Sequence, residues 1–227
     1  MNIGIIGYGK MGKKIEKHAI KRGHKILFKI NSKNIHELNK KNLKKIDVAI
    51  EFSSPKSAFK NLLICMKNET SVVCGTTGWN KKISTIKKLI EKQSMSFLYS
   101  ANFSVGLNIF LKINKEFTKL IEKTNYKLDI IEKHHKTKKD TPSGTAILIA
   151  NQIANDRSDN FKPSIKSKRI GKLKGEHIIH AYSKVDSIKL SHKAHNRDGF
   201  AKGAILAAEF IKNKKGVFSM EDLINNL

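Results

Sequence analysis

Acidic residues are scarce in this chain. Against 45 lysines and arginines stand 19 aspartates and glutamates, a formal net charge of +26 over 227 residues. Such an excess first suggests a nucleic-acid partner. A second scarcity argues against one, because arginine occurs only at Arg22, Arg157, Arg169 and Arg197. The excess is nearly all lysine and is spread over the whole length. Nucleic-acid modules instead concentrate charge and add arginines and aromatics that contact bases. The charge is read as a field that draws in anionic substrates and phosphorylated cofactors, and no nucleic-acid partner is expected. Long apolar runs are also missing, so no segment spans a bilayer and no membrane partner is expected. The opening MNIGIIGYGKMG lacks the basic and apolar regions of a signal peptide, which points to the cytoplasm. Cysteine is limited to Cys65 and Cys74, whose spacing suits no metal; both read as buried apolar residues in a reducing compartment.

What is present is enough apolar material, 39% of the residues, for one large domain or two small ones. The first hundred residues alternate short apolar runs with helical patterns, which implies a doubly wound parallel sheet. Ile3 to Ile6 reads as a buried strand. It leads into Gly7, Tyr8, Gly9, Lys10, Met11 and Gly12, a G-x-G-x-x-G, and then a helix from Lys13 to about Arg22 with Ile15, His18 and Ala19 inward. Strand, glycine turn and helix in that order are the context in which this motif holds a dinucleotide pyrophosphate. A second strand, Lys25 to Ile30, ends at Asn31, where NAD-preferring folds often carry an acid for the ribose 2′-hydroxyl. Without that carboxylate, and with Lys33 nearby, NADPH is expected to serve at least as well as NADH.

Asn34 to Lys45 is polar, helix or loop. Asp47 to Phe52 is a third strand, Ser53-Ser54-Pro55 starts a helix to about Lys67, and Ser71 to Cys74 is a fourth strand. Gly75, Thr76, Thr77 and Gly78 then form a turn at a strand's carboxyl end, where ligands bind in such sheets. A helix is expected over Asn80 to Gln93 and a fifth strand over Ser96 to Tyr99, followed by Ser100, Ala101, Asn102 and Phe103. Asn102 suits a carboxamide, or caps the next helix.

After Gly106 the pattern changes. Leu107 to about Lys123 reads as a helix whose apolar stripe is Ile109, Phe110, Ile113, Phe117, Leu120 and Ile121. Leu128 to Glu132 reads as a strand leading to the stretch EKHHKTKKDTPSGTA, Glu132 to Ala146. Its histidines can move protons near neutral pH. Its lysines offer charge to an anion, and Ser143-Gly144-Thr145 should open a helix whose free N–H groups receive a carboxylate. Asn155 to Lys162 is a surface connection. Ser164 to Ile170, His177 to Ser183 and Ser187 to His192 read as strands of an α+β domain on an open mixed sheet. Ala201 to about Lys212 is a helix, and Phe218 to Leu227 ends in a short helix capped by Ser219. His177, His180 and His195 lack a cysteine or paired carboxylate and are read as structural or substrate-facing; no metal site is expected.

The series Glu132, His134, His135, Lys138, Asp140, Pro142, Ser143, Gly144, Thr145, Ala146 matches every fixed position of the signature E-x-H-H-x-x-K-x-D-x-P-S-G-T-A, and the chain thereby resembles the dihydrodipicolinate reductase family. The turn Gly75-Thr76-Thr77-Gly78 resembles the family's Gly-Thr-Thr-Gly, Ser100 to Gly106 its A-x-N-F-S-x-G, and Glu176-His177 and His192-Lys193-Ala194-His195 its G-E-H strand and T-H-K-A segment. The likeness covers essentially the whole chain, although the region after Asn155 looks shorter than usual. It implies NAD(P)H-dependent reduction of 4-hydroxy-tetrahydrodipicolinate, via dihydrodipicolinate, to tetrahydrodipicolinate in lysine and diaminopimelate biosynthesis. It implies a dinucleotide-binding domain over 1–103 and 197–227, and a substrate and oligomerisation domain over 104–196. His134 is the implied proton donor and acceptor and Lys138 the second catalytic cation. His135, Gly144 and Thr145 are implied to hold a small dicarboxylate substrate. Gly75, Thr76, Thr77, Ser100, Ala101, Asn102 and Phe103 are implied to join the glycine turn in holding the cofactor, and the assembly implied is a homotetramer. Two other readings are a nucleic-acid binder, suggested by charge alone, and a semialdehyde dehydrogenase using Cys74 as nucleophile.

Overall fold

The computed structural model describes residues 1–79, 82–91, 93–159 and 161–227. The chain divides into two compact units, one of residues 1–105 and 198–227, the other of residues 106–197.

The first unit is built on a parallel sheet. β1 (Asn2–Ile6), β2 (Lys25–Ile30), β3 (Val48–Glu51), β4 (Val72–Cys74), β5 (Ser96–Tyr99) and β10 (Gly216–Phe218) lie in the order β10-β5-β4-β3-β1-β2. The strands β1, β3 and β4 are apolar and buried on both faces, as a sheet covered by helices on either side requires. α1 (Lys10–Lys21), α7 (Asp198–Ile211) and α8 (Met220–Asn225) pack on one face through Ile15, Ala19, Ala204, Ala208 and Leu223. α3 (Pro55–Lys67) and α4 (Ile83–Ile90) cover the other through Ala58, Leu62, Cys65 and Ile86. The chain therefore switches faces between β1 and β3, which opens a crevice at their carboxyl ends.

Several sequence expectations need adjustment here. α1 starts at Lys10 rather than Lys13, so Gly12 lies inside the helix, where a Cβ would come 2.6 Å from the Gly7 carbonyl oxygen. The polar stretch after β2 holds a short 3₁₀ turn, Ile35–Glu37, and the single-turn α2 (Lys40–Leu43). Pro55 occupies the first turn of α3 as expected, but the Ser54 hydroxyl bonds Ser57 Oγ at 2.7 Å instead of capping the backbone. The expected start of α4 at Asn80 lies outside the described residues. β10 was not foreseen: its three residues add an edge to the sheet beside β5.

The second unit has a four-stranded mixed sheet in the order β7-β6-β8-β9, from β6 (Lys127–His134), β7 (Ser164–Arg169), β8 (Glu176–Tyr182) and β9 (Ser187–Lys193). β6 pairs parallel with β7 and antiparallel with β8. α5 (Val105–Glu122) and α6 (Gly144–Asp156) bury Leu128, Ile130, Ile179 and Ala181. The expected stripe of α5 is wrong in part: Ile109, Ile113 and Leu120 are exposed, the last by 77%. The buried face instead carries Leu107, Phe110, Asn114, Thr118 and Ile121. Its polar members are satisfied locally, since Asn114 Nδ2 donates to Gln152 Oε1 of α6 at 2.8 Å.

Candidate active site

In the first unit the crevice is a cavity of about 530 Å³ lined by the Gly7–Gly9 turn, Ile30, Asn31, Phe52 and Ser53, among others. Gly7 holds φ +97, and a Cβ there would meet the Phe52 carbonyl at 2.2 Å, so only glycine makes this turn. A Cβ on Gly9 would meet nothing within 4 Å, which leaves its backbone open to a ligand. Gly9 is the N-cap of α1, its first turn carries no acid, and no side chain caps it. Uncapped N–H groups at a helix start, over a glycine that permits close approach, fit a pyrophosphate. Tyr8 lines the cavity with its hydroxyl donating to Glu16, while Lys10 is exposed and Met11 half-buried. Asn31 Oδ1 accepts from Lys33 N at 2.8 Å, an Asx turn that positions the end of β2.

The turns after β4 and β5 are more ordered than their composition suggests. Glu51, at the end of β3 and wholly buried, accepts from Thr76 Oγ1 at 2.6 Å and from the Ser53 hydroxyl. Thr76 Oγ1 in turn accepts from Ser53 N at 2.8 Å. One carboxylate thus fastens the loop after β3 to the Gly75-Thr76-Thr77 turn. Gly75 packs so close to Phe52 that a Cβ would meet its ring at 2.2 Å. Ser100 Oγ accepts from Asn102 N, Asn102 Oδ1 accepts from Ser104 N at 2.9 Å, and Ala101 is exposed. Asn102 thus makes an Asx turn one residue ahead of Val105, the first residue of α5. Phe103 is 1% exposed, packed 5.5 Å from Phe52, so its ring belongs to the core. Cys74 is buried, and burial first, then Glu51, pushes its thiol well up, which removes the nucleophile that the thiol reading needs.

In the second unit, alternation along β6 carries the chemistry. Leu128, Ile130, Glu132 and His134 fall on one face, the buried one. His134 is thus the last residue of the strand, not part of the following loop as the sequence suggested. Glu132 is 0% exposed and His134 7%. His177, on β8 directly opposite Glu132, joins them, its ring 5.2 Å from that of His134. The expectation that no carboxylate stands near His177 is corrected by this register. Glu132, His134 and His177 have potential ligand atoms within 4.8 Å of one another, but the carboxylate is already paired. Arg169 Nη1 donates to Glu132 Oε1 at 2.9 Å, and His134 Nδ1 bonds Glu132 Oε2.

Burial works to raise the Glu132 carboxyl, but the hydrogen bonds it accepts, Arg169's and His134's among them, hold it below the ordinary carboxylate range. An ionised carboxylate only accepts, so Nδ1 of His134 carries the proton and Nε2 is the free position. Burial lowers the proton affinity of His134, Glu132 opposes this, and Lys138 and Arg169 add to the lowering. Space at Nε2 depends on Gly175, whose Cβ would lie 2.9 Å from it and whose φ is +150. Burial also pushes His177 down to about 4, so its ring is neutral at pH 7.

The loop after β6 continues the cluster. Lys138 Nζ donates to both oxygens of Asp140 at 2.7 and 2.8 Å, and this pair holds the Asp140 carboxyl below its ordinary range. Half-buried His135 bonds Thr137 Oγ1 at 2.8 Å. Ser143, the N-cap of α6, accepts from Ala146 N at 3.2 Å and contacts His177 Nε2 at 3.2 Å. Gly144 and Thr145 form the first turn of α6, their backbone N–H groups ahead of the helix ladder. His180 stacks on Tyr182, and His195 is exposed. Glu51 and Arg169 were missed from sequence. Their only signals were an acid inside the apolar run DVAIEF and one of four arginines placed at a strand end.

A face-switching sheet with a glycine-turn cavity, and a second unit carrying a buried carboxylate–imidazole pair, define a pyridine-nucleotide-dependent oxidoreductase. The comparisons give the family. The model for dihydrodipicolinate reductase, N-terminus, matches residues 1–103 and that for its C-terminus residues 106–224. A 4-hydroxy-tetrahydrodipicolinate reductase of Christiangramia forsetii is 40% identical over 239 residues, covering 100% of this chain and 99% of its own. One of Rickettsia bellii is 38% identical over 245 residues, covering 100% and 96%. A dipicolinate-bound dihydrodipicolinate reductase from a Paenisporosarcina species superposes with TM-score 0.84 at 22% identity over 98% of each chain, a likeness of fold. The chain belongs to the dihydrodipicolinate reductase family.

Proposed function

We propose that His134 and Lys138 carry the proton step of a hydride reduction whose cofactor is held by residues 1–103 and 197–227 and whose substrate is held by residues 104–196. The reaction is the NAD(P)H-dependent reduction of 4-hydroxy-tetrahydrodipicolinate, by way of dihydrodipicolinate, to tetrahydrodipicolinate, in lysine and diaminopimelate biosynthesis. The observation that carries the residue assignment is the bond between His134 and the buried Glu132, which aims the other ring nitrogen away from the carboxylate. Bound at the glycine turn, the reduced dinucleotide supplies the hydride. Hydride addition to a conjugated imine leaves negative charge that must be protonated. A dicarboxylate arriving beside His134 favours its protonated form, offsetting the burial that lowers its proton affinity. Lys138 stabilises the developing charge after exchanging Asp140 for substrate. His135 and the opening turn of α6, Gly144 and Thr145, hold a substrate carboxylate.

The cofactor residues are those of the glycine turn, Asn31, Gly75, Thr76, Thr77 and Ser100 to Phe103, with NADPH used at least as well as NADH. Asn31 supports this preference because it presents no charge to a 2′-phosphate. A homotetramer joined through the second unit's sheet is supported by the half-buried Ile131, Ile178 and Tyr182, which lie outside the helix-packed core formed by the described residues of that unit. A cytoplasmic location is supported by two free buried cysteines. No helix among the described residues is long and apolar enough to cross a membrane.

The test is turnover of enzymatically generated substrate with NADPH or NADH. His134→Gln and Lys138→Ala each lose about 10²–10⁴-fold in kcat with NADPH affinity unchanged. Normal turnover in both variants overturns the assignment.

A further inference from the structure

We propose that Arg169 is the positioning residue of the proton-transfer site: one guanidinium grips both the carboxylate that orients His134 and the turn that presents Lys138. The inference rests on the reading of His134 and Lys138 given above and goes beyond it.

Arg169 ends β7, parallel to β6, with Arg169 paired to His134 in register. Its Nη1 donates to Glu132 Oε1 at 2.9 Å and to the Lys168 carbonyl at 3.1 Å. Its Nη2 donates to the Asp140 carbonyl at 2.7 Å and to Thr141 Oγ1 at 2.9 Å. Asp140 is the residue whose carboxylate holds Lys138. The two halves of the acid site therefore share one rigid planar fork, which lysine, a point charge on a flexible stem, does not reproduce. Glu132 has its second oxygen on His134 Nδ1. With the carboxylate clamped from one side, the imidazole is held in a single tautomer and orientation, the role that a buried carboxylate plays toward a catalytic histidine elsewhere.

The groups facing the His134 ring are Glu132 on its own strand, Arg169 on β7, His177 on β8 and Lys138 in the loop. Only Glu132 raises the proton affinity of the ring; Arg169 and Lys138 lower it. Replacing Arg169 by a neutral residue thus has two separable effects. Geometry is lost, and the balance at His134 tips toward the protonated form.

The experiment compares wild type, Arg169→Gln, Arg169→Lys and His134→Gln by the pH dependence of kcat/KM, and by NMR titration of the His134 ring. Arg169→Gln is expected to lose about 10- to 100-fold in kcat, the scale of a misplaced catalytic group. Its alkaline limb moves to higher pH, because a protonated acid is needed and the proton is now held more tightly. Arg169→Lys keeps the charge and loses the fork, so kcat falls while the limb stays in place. KM for NADPH is unchanged in both. Should Arg169→Gln fail to fold, Arg169→Lys carries the test alone. If His134→Gln is inactive while the Arg169 variants keep wild-type kcat and pH profile, the inference is overturned and the assignment beneath it stands. If His134→Gln is active, that assignment itself has failed.

Discussion

Replacing Ser143 by alanine removes one hydroxyl that serves two partners. As N-cap of α6 it accepts from Ala146 N at 3.2 Å, and loss of such a cap costs about 1 kcal/mol. It also contacts His177 Nε2 at 3.2 Å. The other nitrogen of that ring, Nδ1, is buried with no hydrogen-bond partner among the described residues. The variant therefore leaves the ring with no protein partner in a site 5% exposed, at a further cost of about 1–3 kcal/mol. Together the losses come to about 2–4 kcal/mol. For a chain of this size that lowers Tm by roughly 4–16 °C. Circular dichroism melts of Ser143→Ala and Ser143→Thr measure it, threonine keeping the hydroxyl and recovering most of the loss. The frayed first turn of α6 also raises KM for substrate several-fold while KM for NADPH holds. A Ser143→Ala melting point within a degree of wild type refutes the shared-hydroxyl account.

His177 gives stability a pH signature. Its pKa is about 4 in the fold against 6.5 in the unfolded chain, so the unfolded state binds the proton first. This contribution is complete above pH 6.5 and is lost on acidification toward pH 4, about 3 kcal/mol in all. Urea titrations should show His177→Gln losing that part of the slope; parallel slopes for variant and wild type would dismiss it. Asn31→Asp places a carboxylate at the end of β2 and is expected to move the ratio of kcat/KM for NADPH over NADH toward NADH by tenfold or more. An unchanged ratio means that this residue does not face the ribose.

The parallel sheet was legible because its central strands β1, β3 and β4 are short apolar runs buried on both faces. Lys25 to Ile30 and Ser96 to Tyr99 keep the bounds read from sequence. The face of α5 was not legible, since hydropathy ranks Ile113 above Asn114 while the fold buries the asparagine against Gln152. β10 escaped because three residues carry no period. At the candidate site, the signature loop marked itself by spacing alone. Its buried supports did not: Arg169 lies 37 residues from Glu132, and only strand pairing brings them together.

The first unit takes its inner layer from both ends of the chain. α7 supplies Ala201, Ala204, Ile205 and Ala208 to the core that Ile3 and Ile5 begin, and β10 closes the edge beside β5. During synthesis, the early strands leave the ribosome with one side of their sheet covered by α1 alone. They stay so until everything from Gly106 to Arg197 has been made and Asp198 onward arrives. The inserted unit has all of its own strands by then and can fold first. A nascent chain stalled just before Asp198 would display an apolar sheet face that α1 covers only in part, and that is the stage at which chaperones have most to hold.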